Sequence, residues 1–198
     1  MKNRIVFATG NEGKLREIRM ILADLDAELI SMKEAGADGP IEENGTTFEE
    51  NALIKARTVC ERTGLPTLAD DSGLVIDYLG GEPGVYSARF LGEDTPHSVK
   101  NRVILERLKD AAPGERAARF VCACACVLPD GRERVVTATM EGEIAYETAG
   151  ANGFGYDPIF YLPEYGCTSA ELSPEEKNRI SHRGKALRMM EEELGKLL

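Results

Sequence analysis

Apolar positions change their spacing several times along the chain, and each change marks an element. The run "NRIVFA" at 3–8 is β-branched and aromatic and closes at Gly10, as a buried strand does. Leu15, Ile18, Ile21 or Leu22, and Leu25 then recur at helical spacing over residues 14–24. A second helical face, Phe48, Ala52, Ala56, Val59 and Cys60, runs through "TTFEENALIKARTVCERTG" and stops at Gly64. The polar stretch "KEAGADGPIEENG" between them is predicted to be a loop. "PTLADDSGLVIDYLGG" reads as a short strand, a sharp turn and a second strand closed by a glycine pair. Residues 97–109 predict a helix. "ARFVCACACVLPDGRERVVTATMEGEIAYE" predicts a long hairpin turned at "PDGR", with a further strand after Gly142. The last stretch, from "SPEEK" onward, opens with Ser173 as N-cap, Pro174 in the first turn and Glu176 completing a capping box.

Helices before, between and after strands, with long strands in the middle, predict an α/β protein on a mixed sheet. No break in composition marks a linker, so residues 1–198 are expected to form one domain. The central hairpin is the part expected to protrude as a second lobe, with the active-site cleft between the lobes. Composition narrows the partners. With 34 acidic against 24 basic residues and a formal charge of -10, the chain repels an extended phosphate backbone, so no nucleic-acid polymer is expected. A small phosphorylated ligand stays open, because a local cluster of cations overcomes the average field. Five cysteines, without the density of a disulfide scaffold, read as reduced thiols of a cytoplasmic protein. No signal-peptide pattern and no membrane-spanning run is seen.

Five stretches carry candidate chemistry. "ATGNEGK", Ala8 to Lys14, supplies what a phosphate loop needs: glycines for close backbone approach, a helix start and a lysine, with Thr9 and Asn11 as side-chain donors. It is not the Walker pattern, because Gly10 and Gly13 are too close and Leu15 stands where Ser or Thr would bind magnesium. Alone, it reads equally well as a plain strand-to-helix turn. "ADDSG" places Asp70 and Asp71 at a strand-to-turn junction; adjacent strand residues face opposite ways, so one carboxylate serves the cleft and the other anchors the turn. A simple Asp-capped turn is the competing reading. Glu42 and Glu43 in "IEENG" add a second acidic pair, and magnesium uses one or two carboxylates completed by waters and phosphates.

In "ENALIKA" Asn51 and Lys55 stand four apart, on one helix face, where they either meet an anion or form an exposed polar stripe. "GANGFGYDPIF" offers Phe154 and Tyr156 in a glycine-rich loop, a platform for a base or a turn packing two aromatics, with Asp157 held extended before Pro158. "SHRGK" sets His182 beside Arg183 and Lys185, with Lys177 upstream, as donors for a purine carbonyl or a phosphate. His97 reads as a structural histidine. The thiols of "CACAC" lie on one strand face at about 6.6 Å steps, too far apart to converge on one zinc, so they read as core.

Taken in order, "TGNEGK", "ENALIKA", "ADDSGL", "PGVYSARF", "ANGFGYDPIF" and "SHRGKAL" make the chain resemble the inosine triphosphate pyrophosphatase family, the non-standard purine nucleoside triphosphate pyrophosphatases, over nearly its whole length. The departure is Ala151-Asn152, where the family often has Thr-Gly or Arg-Gly. The resemblance implies a two-lobed mixed α/β fold, a homodimer, and magnesium-dependent hydrolysis of ITP, dITP and XTP to monophosphate and pyrophosphate. It implies that Thr9, Gly10, Asn11, Glu12, Gly13 and Lys14 hold the triphosphate with Lys55 assisting. Glu43, or Glu42, would bind Mg2+ with Asp71; Asp71 would also be the general base, with Asp70 a second carboxylate of unassigned role. Ser72, Phe154, Gly155, Tyr156, Asp157, Lys177, His182 and Arg183 would line the nucleoside pocket, Phe154 stacking on the base. Two readings from other classes remain. A non-catalytic nucleotide sensor would bind without forming product, and a purely structural α/β protein would show no thermal shift with ITP and magnesium.

Overall fold

The computed structural model describes residues 3–197. It contains β1 (Asn3–Phe7), α1 (Glu12–Ile21), β2 (Ala27–Ser31), α2 (Phe48–Thr63), β3 (Thr67–Ile76), α3 (His97–Arg107), β4 (Ala117–Val127), β5 (Glu133–Ile144), β6 (Phe160–Leu162), β7 (Cys167–Thr168), α4 (Pro174–Ile180) and α5 (His182–Leu197). The seven strands are ordered β2-β1-β3-β4-β5-β6-β7. β1 runs parallel to β2 and β3, whereas β6 is antiparallel to β5 and β7, so the sheet is mixed and the fold is α/β as expected.

The helix ends follow local chemistry. Asn11 caps α1, its side chain accepting from the Lys14 N–H, so the helix begins two residues before the apolar spacing suggests. Thr47 caps α2 and left-handed Gly64 (φ 65°) ends it. Ser173 and Glu176 form the anticipated capping box of α4. The C-terminal stretch is two helices, because Ser181 is extended (ψ 155°) and breaks α4 from α5.

Two sequence expectations are corrected, and one strand is added where the apolar spacing assigned no element. "AELIS" is a strand, β2, paired residue for residue with β1 from Asn3↔Ala27 to Phe7↔Ser31. It lies at a sheet edge with Ala27, Glu28 and Leu29 only half-buried or exposed, so its apolar signal is weak. Ser72-Gly73 makes no turn: β3 is one ten-residue strand, and burial of Leu68, Ala69, Leu74 and Ile76 keeps it extended. No separate strand follows Gly142, since β5 runs through it. A Cβ on Gly142 would come within 2.5 Å of the Tyr161 carbonyl oxygen, so the glycine permits the close approach of β6 and is not a break.

The chain forms two compact units. The first holds the segment up to Asp71, Cys122–Ala138 and the chain from His182 onward; the second holds Ser72–Val121 and Thr139–Ser181. The first unit packs a core on each face of its strands. On one face Ile5, Phe7 and Leu68 meet Ile18 of α1 and Leu187 and Met190 of α5. On the other, Val6 and Ala69 meet Ala52, Ala56 and Val59 of α2. Cys122, Cys124 and Cys126 all point to the first face and alternate with Ala123 and Ala125 on the second, which makes them core thiols. Burial pushes the Cys122 and Cys126 thiols up to about 12. The second unit is built on Leu74, Ile76, Ile104, Leu108, Phe120, Ile144, Ile159 and Phe160.

Candidate active site

The loop from β1 to α1 is held by its own side chains. The Thr9 hydroxyl accepts from the Asn11 N–H at 3.1 Å, and the Asn11 side-chain oxygen accepts from the Lys14 N–H at 3.0 Å. Gly10 adopts no left-handed backbone and a Cβ there would meet nothing within 4 Å, so the backbone beside the start of α1 is open. Glu12 and Gly13 form the first turn of α1. Lys14 then points inward, its ammonium 3.1 Å from Asp70 Oδ2.

Asp70 and Asp71 are neighbours on β3 and go to opposite faces, continuing the alternation of Leu68 and Ala69. Asp70 lies on the α1 and α5 face. Its Oδ2 meets Lys14 Nζ and the Nε of Arg183 at 3.2 Å, and Arg183 in turn donates to Glu17 on α1. Burial alone would raise the Asp70 pKa, but the cations Lys14, Arg183 and Lys55 outweigh it and hold this carboxyl well below the usual range.

Asp71 lies on the α2 face. Asn51 Nδ2 donates to its Oδ2 at 3.1 Å, and Lys55 Nζ stands 3.7 Å from its Oδ1. The same ammonium is 2.9 Å from Glu43 Oε2. Burial would depress the Lys55 pKa, but Asp71, Asp70 and Glu43 more than offset it, so Lys55 stays charged. Burial raises Asp71, with Glu43 adding to the shift against the opposing pull of Lys55 and Lys14; a carboxylate so raised is a better proton acceptor. Asn51 also fixes the acidic loop, since its side-chain oxygen accepts from the Gly45 N–H at 2.8 Å. Glu42 is exposed, so Glu43 is the member of the acidic pair brought to Lys55 and Asp71.

This donor set fits magnesium. Glu43 and Asp71, hard oxygen donors from two elements, converge on one cation position, now filled by the Lys55 ammonium. Among the described residues no group of three or more His, Cys, Asp or Glu is arranged to hold a metal. Two carboxylates completed by waters and substrate phosphates are the usual magnesium arrangement.

The second unit carries the other candidate residues. Asp157 does not stay extended before Pro158, as expected, but opens a short 3-10 turn, Asp157–Ile159. Its carboxylate enforces that shape: Oδ2 accepts from the Phe154 N–H at 2.9 Å and from Lys177 Nζ at 2.6 Å, and Oδ1 accepts from Ser169 Oγ at 2.7 Å. Lys177 also lies 5.0 Å from the centroid of the half-buried Phe154 ring. Tyr156 is buried in the core of this unit, its hydroxyl donating to the Ser87 carbonyl at 2.6 Å and its ring 5.0 Å from that of His97, so it presents no side chain to a ligand. Gly155 gives its carbonyl to Asn101 Nδ2 at 3.1 Å. Ser72, half-buried, begins this unit on β3. Gly153 (φ 71°) is required, because a Cβ there would lie 2.2 Å from Asp157 Oδ2. Gly153→Ala is therefore expected to lower the thermal midpoint by several degrees. A melting curve checks this.

His182 is buried at the start of α5. Arg183, expected among the nucleoside-lining residues, is buried and tied to Asp70 and Glu17 in the first unit. Glu17 escaped the sequence reading, although its place three residues after Lys14 puts both on one face of α1. Asn51 was on the right face, but nothing in its spacing pointed to Asp71.

Comparisons with known proteins identify the family. The Ham1 family model matches residues 5–193. The chain is 48% identical to the dITP/XTP pyrophosphatase of Photorhabdus laumondii, over 94% of this chain and 95% of that one. It is 47% identical to the dITP/XTP pyrophosphatase of Escherichia coli O157:H7, with the same coverage of 94% and 95%. Among solved structures it is similar to a HAM1 protein from Coxiella burnetii, with a TM-score of 0.89, 44% identity, and coverage of 98% of this chain and 99% of that one. The chain belongs to the Ham1 family.

Proposed function

We propose that the chain is a nucleoside triphosphate pyrophosphatase that, with magnesium, hydrolyses ITP, dITP and XTP to the nucleoside monophosphate and pyrophosphate, removing them from the nucleotide pool. The observation that carries the reading is the convergence of Glu43, Asp71, Asn51 and Lys55 beside a phosphate-type loop. The name dITP/XTP pyrophosphatase borne by its relatives supports the substrate class.

In this reading Thr9 to Lys14 present open backbone and an ammonium to the triphosphate, with Lys55 as the second cation. Glu43 and Asp71 would hold magnesium, which when bound supplies positive charge for the departing pyrophosphate. Asp71 takes the proton from the attacking water, and Asn51 keeps its carboxylate aimed. Phe154 offers a ring to the base, and Asp157 and Lys177 shape that loop. The hydroxyl of Ser72 and the imidazole of His182 complete the nucleoside set. Arg183 contributes through Asp70. A homodimer in the cytoplasm completes the proposal; it rests on the family resemblance and on five free cysteines among the described residues. A solution mass is the check on the dimer.

The product decides the function. Hydrolysis of ITP in oxygen-18 water should release pyrophosphate, place the label in the monophosphate, and stop when magnesium is chelated. Orthophosphate as first product would mean attack at another phosphorus and would overturn the reading. Equal turnover of GTP would remove the proposed selectivity.

A further inference from the structure

We propose that Asp70 is the resident counter-anion of the phosphate loop: it sets how tightly the loop holds polyphosphate, and it is neither a metal ligand nor a base. The inference rests on the phosphate-binding reading of this loop. Three cations stand here, Lys14, Lys55 and Arg183, and four carboxylates answer them. Arg183 is tied to Glu17 and Asp70, Lys55 to Glu43 and Asp71, and Lys14 to Asp70. Protein carboxylates thus outnumber the cations that a triphosphate would use.

The geometry of Asp70 separates it from Asp71. Its side chain has 0% exposure, and both cations sit on one oxygen, Oδ2, with Cys122 Sγ 3.9 Å from the same atom. Oδ1 is buried with no hydrogen-bond partner, an expensive state for an ionised group that the two adjacent cations offset. Asp70 also faces α1 and α5, whereas Asp71 faces Asn51 and Lys55 of α2. A carboxylate so enclosed is placed to act on Lys14 and not on a water or a metal.

Its effect on an incoming anion follows from Coulomb's law. A fixed negative charge beside Lys14 repels phosphate and competes for the same ammonium, which weakens anion binding by about tenfold or more in a partly desolvated site. That weakening serves turnover. Affinity shared equally by substrate, transition state and product does not raise kcat, and tightly held pyrophosphate would leave slowly.

Asp70→Asn tests the idea by sign. The amide oxygen can still accept from Lys14 and Arg183, its NH2 would lie where Oδ1 has no partner, and Arg183 keeps Glu17, so the fold should persist. Calorimetric titration with inorganic tripolyphosphate, without metal, is expected to show about tenfold tighter binding in the variant. With ITP and magnesium, KM and kcat should both fall. Unchanged or weaker tripolyphosphate binding, binding by neither protein, or a rise in KM with a higher magnesium requirement would each overturn the proposal. If Asp70→Asn does not fold, Asp70→Ser is titrated with the same expectation. Because the titration needs no turnover, a wild-type protein that hydrolyses no nucleotide would refute the enzymatic reading and still leave this comparison decisive.

Discussion

Replacing Asp71 by asparagine is expected to lower kcat by about two to four orders of magnitude, the usual contribution of a general base, while the protein stays folded. The substitution keeps the shape of the side chain and the bond from Asn51 Nδ2, and Lys55 keeps Glu43 at 2.9 Å. What it removes is the ability to take a proton, together with one of the two carboxylates that converge on the cation position. Pyrophosphate release under saturating ITP and magnesium measures the first loss. A melting curve or circular dichroism spectrum matching the wild type excludes unfolding as its cause. A near-native rate would rule Asp71 out as the base and move the search to Glu43.

Arg183→Ala should instead be felt in stability. Arg183 is the bulkiest fully buried side chain among the described residues, and its guanidinium is the shared partner of Asp70 and Glu17. Burial works against its charge, but Asp70 and Glu17 hold the charged form. Truncation leaves two carboxylates short of a cation in a buried setting and opens a cavity, which places the loss at about 3–5 kcal/mol. Urea unfolding measures this as a shift of midpoint at unchanged slope. A loss below about 1 kcal/mol would mean that solvent or rearrangement replaces the guanidinium, and that the network does not hold α1, β3 and α5 together. The two variants thus separate chemistry from scaffolding, although their target carboxylates are adjacent in sequence.

Much of the fold was legible because period and capping agree. The α2 face and its Thr47 and Gly64 ends, the capping box at Ser173, and the β4–β5 segment are local features written in a few residues each. The failures share a cause: glycine and serine look like punctuation in one dimension. Gly73 and Gly142 both sit inside strands, and Gly142 does so because β6 packs closely on it, a requirement set by tertiary contact. β2 was invisible because an edge strand needs little apolar surface.

At the site, residue types and order singled out the loop, Glu43, Lys55 and Asp71 as candidates, and the fold brings Lys55 to Glu43 and Asp71 and Lys14 to Asp70. Partnerships across long sequence separations were not readable. Nothing in "SHRGK" says that Arg183 turns to an aspartate 113 positions earlier, and "FGYD" leaves open whether its tyrosine meets a base or, as the structure has it, the core. Asn51 and Glu17 show the intermediate case, in which helical spacing names the face but not what that face meets.

The pleat of β3 has a consequence for how such a protein changes over time. Because Asp70 and Asp71 leave the strand in opposite directions, each is in the keeping of different helices, the first of α1 and α5, the second of α2. A substitution on α2 changes the direct partners of Asp71, and one on α1 or α5 those of Asp70, yet Lys55 still acts on Asp70 and Lys14 on Asp71 through space. Two adjacent letters of the sequence are therefore held by separate contacts and coupled by charge.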